Sequence, residues 1–188
     1  MVKEEKFNIK IENIVASASL GVDVQLENIV STLEGMEYEP EQFPGLVYRI
    51  KKPKAAALIF SSGKIVCTGA RSIKDVNVVF KKVVAVIQKS GVRVPKGFKI
   101  QVENIVASAK LEANLNLDTI AFNLENSEYE PEQFPGLVYR MVDPKVAFLL
   151  FGSGKVVCTG ARSIEDVHTA VKKVSRKLKK IGALVKRK

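Results

Sequence analysis

Residues 38–49, Tyr-Glu-Pro-Glu-Gln-Phe-Pro-Gly-Leu-Val-Tyr-Arg, return letter for letter at 129–140, and the rest of the chain aligns on the same offset of 91 residues. Asn13-Ile14-Val15-Ala16-Ser17-Ala18 recurs as residues 104–109, and Ser62-Gly63-Lys64 with Cys67-Thr68-Gly69-Ala70-Arg71-Ser72-Ile73 recurs at 153–164 with one Ile/Val exchange. No insertion or deletion is needed. A stacked solenoid requires about three units to bury a continuous core. Two copies therefore point to one pseudo-twofold body of two like lobes, 1–97 and 98–188.

Each lobe has the means to close a core, since 46% of residues are hydrophobic and 27% charged, as in ordinary globular domains. No run approaches the roughly 18 to 20 apolar residues of a membrane span, and Met1-Val2-Lys3-Glu4-Glu5-Lys6 lacks the apolar segment of a signal peptide. The expected location is the cytosol, with the chromosome, and no membrane partner is expected. The net charge of +10 divides evenly, with 15 basic and 10 acidic residues in 1–97 and the same numbers in 98–188. That balance suits a polyanionic partner, and equally a well-solvated surface.

Alternation and β-branching from Phe7 to Leu20 predict a long strand. Leu26, Ile29, Val30 and Leu33 then fall at helical spacing and predict a short helix ending near Gly35, copied as Leu117, Ile120, Ala121 and Leu124. In the repeated stretch, prolines on both sides of Gln42-Phe43 forbid a helix or a central ladder, so a strand runs into a stiff exposed loop and out again. Leu46 to Ile50, Ala55 to Phe60 and Lys64 to Thr68 read as an antiparallel meander, with turns at Lys52-Pro53 and Ser61-Ser62-Gly63. Ser72 with Asp75 is a capping signature. It opens a long helix with the stripe Ile73, Val76, Phe80, Val83, Val84 and Ile87; the copy opens at Ser163 and Asp166 and carries Ile164, Val167, Val171, Val174, Leu178 and Ile181. Each lobe thus reads strand, helix, four strands, helix.

The helices can cover one face of such a sheet. The other face is not polar either: Lys64, Val66 and Thr68 share one side of their strand, Ile65 and Cys67 the other, and Leu58 and Phe60 oppose Ala57 and Ile59. A second apolar, lightly basic face needs a cover. Either the lobes bury these faces against each other or they offer a surface to a partner. Phe43 and Phe134, on proline-bound loops, are poorly placed for a core.

Nothing supports catalysis. His168 stands alone on a predicted helix, and Ser-Ser-Gly-Lys and Gly-Ser-Gly-Lys lack phosphate-loop spacing. Cys67 and Cys158 read as inert core thiols without metal-ligand partners. No metal and no cofactor are expected.

Taken together, Glu-Gln-Phe-Pro-Gly with an Arg six residues after the Phe, then Pro-Lys, Leu-x-Phe-x-Ser-Gly-Lys and Thr-Gly-Ala-Arg, all present in duplicate, resemble the TATA-box-binding proteins in their archaeal form. The resemblance covers essentially the whole chain. It implies an α+β, two-fold duplicated saddle: one curved ten-stranded antiparallel sheet, four helices on the convex side, and a concave side on the DNA minor groove. It implies wedge residues Phe43 and Phe60 in the first lobe and Phe134 and Phe151 in the second, this family being the type case of such wedges. Base contacts would come from Asn13, Asn104, Thr68 and Thr159, with an apolar floor of Val15, Leu58, Val66, Val106, Leu149 and Val157. Phosphate contacts would come from Arg49, Lys64, Arg71, Arg140, Lys155 and Arg162. Glu130, Glu132 and Gln133 would form the loop that receives transcription factor B and, through it, RNA polymerase. Glu12 and Glu103 stand where other members can carry an uncharged amide. The implied function is a general transcription factor at the A·T-rich TATA box that kinks DNA and nucleates the initiation complex, with homodimerisation possible when free. The alternative is a non-specific basic architectural DNA-bending protein.

Overall fold

The computed structural model describes residues 7–32 and 34–186. Grouped by contacts, the chain forms two units, Asn13–Glu103 and a second made of the described residues up to Glu12 with those from Asn104 on. In chain order come β1 (Lys10–Ser19), α1 (Leu26–Val30), β2 (Met36–Glu37), β3 (Gly45–Ile50), β4 (Ala55–Phe60), β5 (Lys64–Ala70) and α2 (Ile73–Lys89). Then follow β6 (Gln101–Lys110), β7 (Asn114–Leu115), α3 (Leu117–Asn123), β8 (Ser127–Glu128), β9 (Gly136–Met141), β10 (Val146–Phe151), β11 (Lys155–Ala161), α4 (Ile164–Lys180) and β12 (Leu184–Val185). Ten strands share one hydrogen-bonded sheet in the order β2-β3-β4-β5-β1-β6-β11-β10-β9-β8. The expected ten-stranded antiparallel sheet with four helices is present. A two-stranded sheet, β12-β7, was not foreseen.

In the unit Asn13–Glu103, period-2 alternation sends Ile14, Ala16, Ala18, Leu46, Ile50, Ala57, Ile59, Ile65 and Cys67 into the core beneath α2. That helix starts where Ser72 Oγ accepts the Asp75 N–H at 3.0 Å, which satisfies a donor that the first turn leaves without a partner. Its buried stripe is Val76, Val79, Phe80, Val83, Val86 and Ile87. Val79 and Val86 replace the expected Ile73, which is exposed, and Val84, which is only half-buried. The first-turn position is exposed to solvent, and the buried stripe begins at Val76. The second unit repeats the pattern with Ser163 capping Asp166 at 3.0 Å and with Val167, Ala170, Val171, Val174 and Leu178 buried. Ile164 is again exposed and Ile181 half-buried.

Three further boundaries moved. The first strand begins at Lys10 rather than Phe7, because the Ile9 N–H closes a local turn on the Phe7 carbonyl. α1 is a single short piece with no side-chain cap at Gln25, and Leu33, expected on its stripe, lies outside the described residues, as do 1–6. Ala121, expected on the buried side of α3, is exposed, leaving Leu117 and Ile120 to anchor that helix.

Candidate nucleic-acid interface

The sheet face opposite the helices stays half-open in each unit. Cross-strand register lines up Val47, Leu58, Val66 and Ser17 as one row and Val138, Leu149, Val157 and Ser108 as its copy. Val15 and Val106 lie on the same side of their strands, half-buried like the rest. The floor residues Leu58, Val66, Leu149 and Val157 therefore adjoin directly within their own units.

At the end of each meander two aromatic rings meet edge to face. Phe43 and Phe60 have centroids 5.8 Å apart at 65°, and Phe134 and Phe151 are 5.9 Å apart at 67°. Phe43 is 37% and Phe134 40% exposed, high for residues that bury well elsewhere. Each loop is fixed by a carbonyl that takes two N–H donors: Gln42 and Phe43 on Glu39 O, both at 2.9 Å, and Gln133 and Phe134 on Glu130 O at 2.9 and 3.0 Å. Beneath each ring pair lies a glycine. A Cβ at Gly45 would stand 2.7 Å from the Phe43 ring and 3.0 Å from the Phe60 ring, and at Gly136 2.6 and 3.0 Å from Phe134 and Phe151. The absence of a side chain is what lets the rings close together.

The asparagines are set by a bulge. Between the partners Ile14↔Ala70 and Ala16↔Cys67, β5 contributes an extra residue, and Gly69 takes φ +88 there. The Gly69 N–H, turned out of the ladder, donates to Asn13 Oδ1 at 2.7 Å. A backbone N–H can only donate, so the amide oxygen is spoken for and the NH₂ must face the other way, toward Thr68 Oγ1 at 3.5 Å. Asn104, Gly160 (φ +99) and Thr159 repeat the arrangement at 2.7 and 3.3 Å. Both amides thus present a donor on the half-open face.

Of the six expected phosphate-binding cations, Lys64, Arg71, Lys155 and Arg162 are exposed without ion pairs among the described residues. Arg49 and Arg140 instead pair with Glu37 (3.2 Å) and Glu128 (3.6 Å), partners the sequence reading missed. A solvent-exposed pair is worth about 0 to 1 kcal/mol, so an incoming phosphate can displace the carboxylate. The two glutamates were visible in the sequence as copies of each other on the strand preceding the loop. Glu12 and Glu103, whose direction was open, accept hydrogen bonds at 2.6 Å from Ser108 and Ser17, residues of the half-open face. Glu130, Glu132 and Gln133 are exposed, and His168 is exposed on α4.

Cys67 and Cys158 lie under the helices, where burial pushes their thiols up to about 11 and about 12. Thiols so far above neutrality are poor nucleophiles. Among the described residues no cluster of His, Cys, Asp or Glu could hold a metal ion, and no helix is long and apolar enough to cross a membrane.

The chain matches the family described as transcription factor TFIID (or TATA-binding protein, TBP) twice, over residues 8–90 and 99–181. It is 56% identical to the TATA-box-binding protein of Methanobrevibacter smithii over 177 residues, covering 94% of this chain and 98% of that one. The TATA-box-binding protein of Methanothermobacter thermautotrophicus gives the same identity and coverage. Among solved structures, Methanococcus jannaschii TBP superposes with a TM-score of 0.85 at 50% identity, over 92% of this chain and 98% of that one.

Proposed function

The chain belongs to the TATA-binding protein family, and from that premise we propose that it is a general transcription factor that binds the A·T-rich TATA box through the minor groove and bends it. The observation that carries this reading is the pair of edge-to-face phenylalanines at the end of an open apolar row, repeated in both units. In the minor groove A·T and T·A pairs offer only acceptors, whereas G·C adds an amino group that stands up from the floor. A row of Val and Leu accommodates the first and clashes with the second. The amide donors of Asn13 and Asn104 fit base acceptors, and the hydroxyls of Thr68 and Thr159 add donors beside them. Phe43 with Phe60, and Phe134 with Phe151, act as wedges that open a base step at either end of the site.

The test is bending of an A·T-rich duplex, read by energy transfer between end labels, with Phe43→Ala, Phe134→Ala and the double variant. Bending should fall in each single variant and be largely lost in the double. Undiminished bending in the double variant would refute the wedge role, and equal affinity for a G·C-rich duplex at matched salt would return the protein to the class of non-specific architectural benders.

In the same reading the exposed carboxylates Glu130 and Glu132, with Gln133, receive a basic surface of transcription factor B, which in turn brings RNA polymerase. Charge reversal at Glu130 and Glu132 should leave duplex affinity intact and weaken the ternary complex, measured by gel shift. Free of DNA, the same half-open apolar face is where two copies would associate. The protein then resides with the chromosome and acts without cofactor or catalysis.

A further inference from the structure

The first repeat is an internal control for the second: where both units carry the same residue the fold suffices as a reason, and where only one departs another reason is needed. Several departures meet at one place in the unit that contains Asn104–Lys186. A cavity of about 610 Å³ opens there between the end of α3, the strand β9 and the helix α4. Its wall carries Lys173, Arg176 and Lys177 from successive turns of α4. Two of these have apolar counterparts in the first repeat, Ala85 for Arg176 and the buried Val86 for Lys177.

The cations differ in how far they are committed. Lys177 Nζ donates to Tyr139 Oη at 2.8 Å, and Lys173 is held by Asp143 at 2.7 Å. Arg176, exposed, has no hydrogen bond or ion pair among the described residues. The rim changes in the opposite sense. Val142 lines the cavity and is 80% exposed, and Phe122, next to the lining residue Asn123, is 91% exposed. Their first-repeat counterparts are Lys51 and Ser31. The cavity wall has thus gained a free guanidinium and the exposed Val142, and the chain has gained an exposed Phe122 one residue before the lining Asn123, which neither packing nor solubility requires. An uncommitted Arg with exposed aromatic and aliphatic residues on the adjoining segments is the composition of a protein-binding hot spot.

We propose that this face is a docking site for an acidic segment of a partner protein, whose carboxylate pairs with Arg176 in a bidentate fork while its apolar side chain packs on Phe122 and Val142. Charge complementarity selects an acidic occupant. Four cations line the cavity (Arg140, Lys173, Arg176, Lys177) against two acids (Glu125, Asp143). Because the first repeat lacks the apolar pair and the free Arg, such a partner engages one repeat only. That supplies a direction which two identical Glu-Gln-Phe-Pro-Gly loops do not.

The experiment grafts the first repeat onto the second, Phe122→Ser, Val142→Lys and Arg176→Ala together, in the full chain. One cation is gained and one lost, so the net charge is unchanged and bulk electrostatics are controlled. Each new residue is one that the other repeat already carries in the same place. The probe is a fluorescent dodecapeptide rich in Asp and Glu with Leu and Phe, followed by anisotropy and by amide shifts in the labelled protein. Versions with Lys for every acid, or Gly for every apolar residue, serve as controls. Expected are shifts centred on Phe122, Val142 and 173–177, and binding weakened about tenfold or more by the graft and by either control. Equal binding by wild type and graft overturns the proposal, as do shifts spread over the basic surface. So does a graft that lowers self-association or duplex affinity instead, which would assign the face to a second copy or to DNA. Duplex bending by the graft should be unchanged, so failure here is separable from failure of the DNA-binding reading.

Discussion

Asn104 carries two duties that a substitution can separate. Its amide oxygen satisfies the Gly160 N–H in the bulge, and its NH₂ is left as a donor on the open face. Asn104→Asp keeps an acceptor for the N–H but removes both donors and adds a negative charge on the half-open face. Duplex affinity, measured by anisotropy, should fall about tenfold or more while the thermal midpoint of the free protein changes little. Equal affinity would deny Asn104 a base contact. Duplication and resemblance singled out such residues as candidates in the sequence, but their orientation was not legible there. Nothing local to Asn13 announces that a bulge 56 residues on will turn the Gly69 N–H toward it. The direction of Glu12 and Glu103 was hidden for the same reason, since each is fixed by a serine far away in sequence.

At the level of elements, α1 and α3 show how one residue alters a helix that is otherwise a copy. Gln25 makes no cap, whereas at the equivalent place Asn116 Oδ1 accepts the Thr119 N–H at 3.0 Å, and α3 has 7 residues against 5 in α1. Asn116→Ala should therefore cost about 1 kcal/mol in urea unfolding, while Gln25→Ala should be nearly neutral. Equal costs would mean that the cap is not what lengthens α3. Long elements were legible because their signals are local: alternation for β1, and a Ser-x-x-Asp start with a 3.6-residue stripe for α2 and α4. The two-residue strands β7 and β12 have no periodicity to read and exist only because each finds the other. The helix stripes were misplaced at their first turns, where periodicity fixes the angle of the face but not which end of it meets the sheet.

For the molecule as a whole, affinity should be governed by the cations. With six phosphate contacts, log affinity should fall with log salt at a slope of about five. Glu12→Gln with Glu103→Gln should raise affinity at low salt, the gain shrinking as salt rises, because two carboxylates held at the open face would no longer repel phosphate. A fall in affinity would mean that the carboxylates serve to orient Ser17 and Ser108 instead. The division of charge, +5 in each half, was plain from the sequence. The division of contacts was not, since it places the described residues up to Glu12 with the second repeat and those from Asn13 to Glu103 with the first.

That crossing bears on ancestry. Ser17 is bonded by Glu103, the copy of Glu12, and Ser108 by Glu12 itself. A chain of one repeat carrying the same residues could complete these bonds only by lending the head of its first strand to a second copy and borrowing that copy's in return. Joining the two genes end to end would have turned a partnership that depends on concentration into one that every molecule carries within itself.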